Sequence, residues 1–102
     1  MMEMKPGTRL RSQTCSAEVI VVRPPDREVD LRCGGAAMVP VGDEVTEQPV
    51  DAAHQGGTLL GKRYADPETG IEILCTKAGE GSLSLGGATL PVKDAKPLPS
   101  SD

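Results

Sequence analysis

The residues of this 102-residue chain best equipped for chemistry are three thiols, Cys15, Cys33 and Cys75, and one imidazole, His54. A thiolate is a nucleophile, a redox centre and a soft metal ligand, and an imidazole is a ligand or a proton carrier. The cysteine number is odd, and the start MMEMKPGTRL lacks the basic-then-apolar order of a signal peptide. Free thiols or metal ligands are therefore expected rather than a disulfide framework, and the expected compartment is the cytoplasm. Cys75 lies in the apolar run IEILCT, where a small buried core residue is the alternative to a ligand. His54 lies in the polar stretch DAAHQGG, which either folds over a site or leaves the ring solvated.

Other chemistries lack their residues. GGTLLGKR (56–63) follows a phosphate-binding loop through Gly56, Gly61 and Lys62. Arg63 then stands where a Ser or Thr would hold magnesium, and no strand precedes it or helix follows it. Asp66 and Glu68 in DPETG have the character of turn residues, and no Ser–His–acid set is supported. The net charge is −4, no Lys/Arg stripe appears, and Tyr64 is the one aromatic residue. Nucleic-acid binding, which needs phosphate neutralisation and usually stacking platforms, is not expected. No apolar run approaches the roughly 18 residues of a membrane span. The expectation is a protein that is not an enzyme and binds neither nucleic acid nor membrane.

The elements that must position the thiols read as strands. AEVIVVR (17–23), EVDLRC (28–33), GIEILCTK (70–77) and GSLSLGG (81–87) are β-branched or alternate as half-buried strands do, and TLPV (89–92) follows briefly. RPPDRE (23–28) and KAGEG (77–81) carry the Pro, Asp and Gly of turns, so each half reads as strand, turn, strand, that is, a hairpin. No segment has a useful helical period. The core is lean: nine Val, nine Leu and three Ile, with no Phe or Trp. Large core-forming residues are thus near the roughly 20% at which chains stop burying enough to order themselves. Such chains gain from a metal, a disulfide or a second copy of themselves.

The second copy is written into the chain. LRCGGAAMVPV (31–41) returns as LSLGGATLPV (83–92), AEVIVV as IEILCT, and GTRL (7–10) as GKRY (61–64), with a turn two residues longer in the first copy. The organisation expected is a first repeat at 1–42, a linker at 43–60, a second repeat at 61–92 and a flexible tail at 93–102. The thiols are not shared: Cys15 matches Thr69, and Cys33 matches Leu85.

The segment GKRYADPETGIEILCTKAGEGSLSLGGATL (61–90) resembles desulforedoxin and the amino-terminal domain of desulfoferrodoxin. In that family a Gly–Tyr start leads to a C-x-x-C-G knuckle, a strand, a Gly-rich turn and a strand entering C-C-G-x-x-M. The four ligand positions fall on Asp66, Thr69, Leu85 and Gly86 in the second half, where every thiolate is gone. In the first half they fall on Ser12, Cys15, Cys33 and Gly34, followed by Gly35 and Met38. The resemblance implies an all-β protein without substantial helix, two desulforedoxin-like hairpin repeats packed as a covalent pseudo-dimer. It also implies a half-retained iron–thiolate site in the first repeat.

A thiolate centre for iron or zinc needs four donors. Cys15 and Cys33 supply two, and Cys75, His54 or a second chain would supply the others. Without metal, the same two thiols would form a disulfide or a reversible redox pair. With one histidine there can be no four-histidine iron centre. Two functional readings follow. One is a small non-catalytic accessory protein with a residual thiolate site, holding iron or zinc or acting as a redox dithiol. The other is a metal-free interaction module for a larger enzyme or assembly. A larger protein partner is expected in both, and the chain itself would be a monomer or a homodimer.

Overall fold

A computed structural model describes residues 4–93. It is all-β: nine short strands form two antiparallel sheets, with one 3-10 turn at Ala52–His54. The tail expected at 93–102 lies, apart from Lys93, outside the described residues. Among the described residues no helix is long and apolar enough to cross a membrane.

The strands are β1 (Arg9–Arg11), β2 (Glu18–Arg23), β3 (Leu31–Cys33), β4 (Ala36–Ala37), β5 (Val39–Pro40), β6 (Arg63–Ala65), β7 (Glu72–Lys77), β8 (Leu83–Leu85) and β9 (Ala88–Thr89). One sheet runs β5-β1-β2-β7-β6 and the other β4-β3-β8-β9. The repeat seen in the sequence is also a repeat of register. Positions of β1 and β2 recur 54 residues later in β6 and β7, so that Leu10 opposite Val19 becomes Tyr64 opposite Ile73. Positions of β3 and β4 recur 52 residues later, and Cys33 opposite Ala36 becomes Leu85 opposite Ala88. The offset drops by two because the turn after β2 is two residues longer than the turn after β7.

Two pairings join the halves. β2 pairs with β7 about a centre where Ile20 faces Leu74, and β3 pairs with β8 about a centre where Arg32 faces Ser84. Each centre maps onto itself when the halves are exchanged, so both pairings are symmetric in register. Backbone bonds recur too: Ser12 N–H to Ala17 C=O is repeated as Asp66 N–H to Ile71 C=O.

The hairpin partners differ from those read in the sequence. AEVIVVR and EVDLRC do not pair with each other; β2 lies in one sheet and β3 in the other. Pro24 and Pro25 follow β2 directly and offer no N–H to a returning ladder, so the chain leaves the sheet there. The hairpins are instead β1–β2 and β3–β4, with β6–β7 and β8–β9 as their counterparts. The doubled GG of the repeated phrase is the β3–β4 turn. Gly34 and Gly35 both have positive φ, 66° and 90°, as a two-residue type I′ hairpin requires.

Alternation along the strands fills the space between the sheets. Leu10, Val19, Val21, Leu31 and Met38 are buried from the first half, and Tyr64, Ile71, Ile73, Cys75, Leu83 and Leu90 from the second. Burying such aliphatic side chains contributes roughly 1.5–3 kcal/mol each, an upper bound against a fully extended chain. The first part of the segment between the halves packs on the first one. Gln13 accepts the N–H of Thr46 on its Oε1 (3.1 Å) and that of Gln48 on its backbone carbonyl (2.9 Å), while Asp51 N–H donates to Gly34 C=O (2.9 Å).

Candidate thiol site

β1 ends at Arg11, and the chain then turns tightly through residues 12–16 before β2 begins. The turn is wound around a hydroxyl. Buried Ser12 accepts on its Oγ the backbone N–H groups of Thr14 (3.0 Å) and Cys15 (3.1 Å). Two further bonds fix the turn in place: Thr14 Oγ1 donates to the Cys33 carbonyl (3.1 Å) and Ser16 Oγ to the Ala78 carbonyl (2.7 Å). Cys33, the last residue of β3, is fully buried.

These constraints bring the two sulfurs to 3.9 Å, both as free cysteines. Gly81, between β7 and β8, touches both with opposite polarity. Its N–H donates to Cys15 Sγ (3.4 Å), whereas its carbonyl accepts from Cys33 Sγ (3.5 Å) and from Thr58 Oγ1 (2.6 Å). Cys15 Sγ is also 3.4 Å from Ser12 Oγ. A side chain at Gly81 has no room, because its Cβ would fall 2.8 Å from the backbone of Gly34.

The two thiols are therefore unlike. Burial alone would raise the pKa of Cys15, but hydrogen bonding with Ser12, with the backbone of Ala17 and Gly81 and with Cys33 outweighs it and holds the thiol below its ordinary value. Burial pushes Cys33 up to about 11, and the neighbouring Cys15 charge acts in the same direction. Cys15 is thus the more acidic thiol of the pair, and Cys33 keeps its proton more tightly. Cys15, half-buried, also opens onto a cleft of about 330 Å³ bordered by Arg11, Gln13, Val45, Glu47 and Gln48.

The other two candidates stand apart. Cys75 is buried in β7 opposite Val19, its Sγ 3.2 Å from the Lys77 carbonyl, at the position that Val21 holds in the first half. Burial raises its pKa. His54 ends the 3-10 turn half-buried; its carbonyl accepts Ser82 N–H (2.9 Å), and its Nδ1 is buried without a hydrogen-bond partner. Among the described residues, no group of three or more His, Cys, Asp or Glu is placed to hold a metal ion.

Two sulfurs 3.9 Å apart match the roughly 3.8 Å edge of a tetrahedron with metal–sulfur bonds of about 2.3 Å. The remaining neighbours are the hydroxyls of Ser12 and Thr58 and the carbonyl of Gly81, all neutral oxygens. That donor set does not fit a zinc or iron tetrathiolate. In the second half the same corner holds Asp66 and Thr69, joined by a 3.0 Å hydrogen bond from Thr69 Oγ1 to Asp66 Oδ2.

Thr58, Gly79 and Gly81 contribute to the site without having been singled out from the sequence. The two glycines read as turn formers and Thr58 as linker. The Thr58–Gly79 bridge holds Thr58 beside Cys33. Compared with the models of known protein families, with curated proteins and with solved structures, the chain matches none of them.

Proposed function

We propose that this chain is a small, non-catalytic accessory protein whose Cys15–Cys33 pair works as a reversible dithiol/disulfide. The observation that carries this reading is the 3.9 Å separation of two sulfurs of unlike acidity. A disulfide bond is about 2.05 Å long, so closure needs a sulfur displacement of roughly 2 Å, within reach of small side-chain and turn adjustments. The neutral oxygens around the pair favour this chemistry over an iron or zinc centre. A reversible pair suits a cytoplasmic protein, where the glutathione pool sets the balance of the two states.

The test is a thiol count by mass spectrometry after equilibration in glutathione buffers of graded redox potential, with elemental analysis of the same preparation. Cys15 and Cys33 are expected to disappear together in one two-electron transition while Cys75 stays free. Independent loss of the two thiols, or one equivalent of iron or zinc bound, would overturn the reading.

A specific observation supports the interaction module as a second reading. Leu59 and Leu60 are 57% and 65% exposed, side by side ahead of β6, where the matching positions of the first half are Lys5 and Pro6. Two adjacent exposed leucines offer an apolar contact for a larger protein.

A further inference from the structure

We infer that the pair exchanges with low-molecular-weight disulfides in a fixed order, Cys15 as the attacking sulfur and Cys33 as the resolving one. This rests on the dithiol reading and adds a direction and a substrate class to it. Access supplies the first argument. Cys15 is half-buried and borders the cleft beside Arg11, Gln13 and Gln48, whereas Cys33 is 0% exposed behind it. A disulfide arriving from solvent meets Cys15 alone.

Hydrogen-bond polarity supplies the second. The attacking species in exchange is a thiolate, which needs donors around it. Cys15 has the Gly81 N–H at 3.4 Å, and Cys33 has the Gly81 carbonyl at 3.5 Å, which suits an S–H group. Reversing the roles would place a thiolate against a carbonyl oxygen. The small cleft sets the substrate class. At about 330 Å³, walled by polar side chains that include Arg11 and Glu47, it has room for one half of a small disulfide bearing both carboxylate and ammonium groups, such as oxidised glutathione.

The Cys15 thiolate attacks one sulfur of RS–SR; a Cys15–SR bond forms, the RS–SR bond breaks, and RS⁻ leaves with the electron pair and is protonated by solvent. Cys33, its proton passing to the departing RS⁻ as it reacts, then attacks Cys15 Sγ from 3.9 Å. The internal disulfide forms, the Cys15–SR bond breaks, and the second RS⁻ takes the proton that Cys33 gives up. Two cysteines are oxidised, and one disulfide is reduced to two thiols.

Oxidised glutathione is the probe. Cys33→Ser is expected to stop at one glutathione on Cys15, wild type to pass on to the internal disulfide without a stable adduct, and Cys15→Ser to react at least tenfold more slowly. Competitive alkylation of native wild-type protein gives an independent measurement that requires no variant to fold. Cys15 is expected to label at least tenfold faster than Cys33 or Cys75. First labelling at Cys33 or Cys75, or a glutathione adduct on Cys33, would overturn the order while leaving a measured internal disulfide standing. A wild-type pair that never closes under any disulfide would overturn the dithiol reading itself.

Discussion

Gly79 stands so near Cys15 that a β-carbon on the glycine would lie 2.6 Å from the sulfur and 2.6 Å from the Ala17 nitrogen. The thiol fits only because this position has no side chain. Gly79→Ala must move the turn that carries Cys15, and overpacking of this kind typically costs about 1–3 kcal/mol. A lowered melting temperature and slower disulfide closure are expected, read by thermal denaturation and the glutathione assay. An unchanged rate would show that the Cys15 turn adapts freely.

Closing the Cys15–Cys33 bond should stabilise the protein. The two residues are 18 apart in sequence, and constraining a loop of that size contributes about 3 kcal/mol in the chain-entropy account. For a domain of this size that corresponds to a melting-temperature rise on the order of 10–20 °C. Oxidised and reduced samples compared by calorimetry test it, and Cys15→Ser should abolish the difference.

The unlike thiols predict two pH responses. Alkylation of Cys15 should reach half its maximal rate below the ordinary thiol value of 9.0, while Cys33 resists until about pH 11. Stability follows with opposite signs. Cys33 keeps its proton when folded but loses it near 9.0 when unfolded, so its contribution is full below that value and disappears as pH rises towards 11, on the order of 3 kcal/mol. Cys15, whose folded value is depressed, contributes above its unfolded value and loses that contribution as pH falls through the folded one. Denaturant titrations of the reduced protein from pH 7 to 11 should show the net decline; a flat profile for wild type and Cys33→Ala alike would refute it.

Ser12 marks the difference between this site and a metal centre. Its Oγ is 3.4 Å from Cys15 Sγ and holds two backbone N–H groups, so an oxygen stands where a third sulfur would be needed. Ser12→Cys would put a third sulfur at that corner. The variant is expected to take up one cobalt or zinc ion with thiolate-to-cobalt absorption, under conditions where wild type takes up none. Equal uptake by both would mean that the two native thiols suffice.

The exposed leucines can be tested without touching the thiols. Leu59→Ser with Leu60→Ser should change stability by no more than about 0.5 kcal/mol, as surface substitutions do. If these residues meet a partner, the variant should lose proteins that co-purify with wild type. Identical co-purification would remove the contact from consideration.

Strand positions were legible because period and residue type agree. EVIVVR and EILCTK are β-branched or aliphatic runs bounded by turn residues, and each became a six-residue strand. Pairing was not legible. Adjacent runs invite a hairpin, yet β2 found its partners in β1 and β7, because Pro24 and Pro25 carry the chain away from the sheet. GTRL and GKRY were matched as repeats, but their three-residue strands are too short to announce themselves. At the site, Cys15 and Cys33 were expected together because the resemblance implied two ligand positions there, and their sulfurs lie 3.9 Å apart. The opposite polarity that Gly81 gives them comes from backbone groups, which no side-chain pattern encodes.

Both sulfurs are contributed by the first of the two matching units, while Gly81, which faces one with an N–H and the other with a C=O, comes from the second. Part of the thiols' surroundings is thus housed in the other copy. Splitting the polypeptide between the two would leave both sulfurs in place but remove the Gly81 contacts, and a change in the second copy can alter the pair without approaching a sulfur in sequence. The second copy brings neither of the paired sulfurs, yet its backbone forms one wall of the place where they meet.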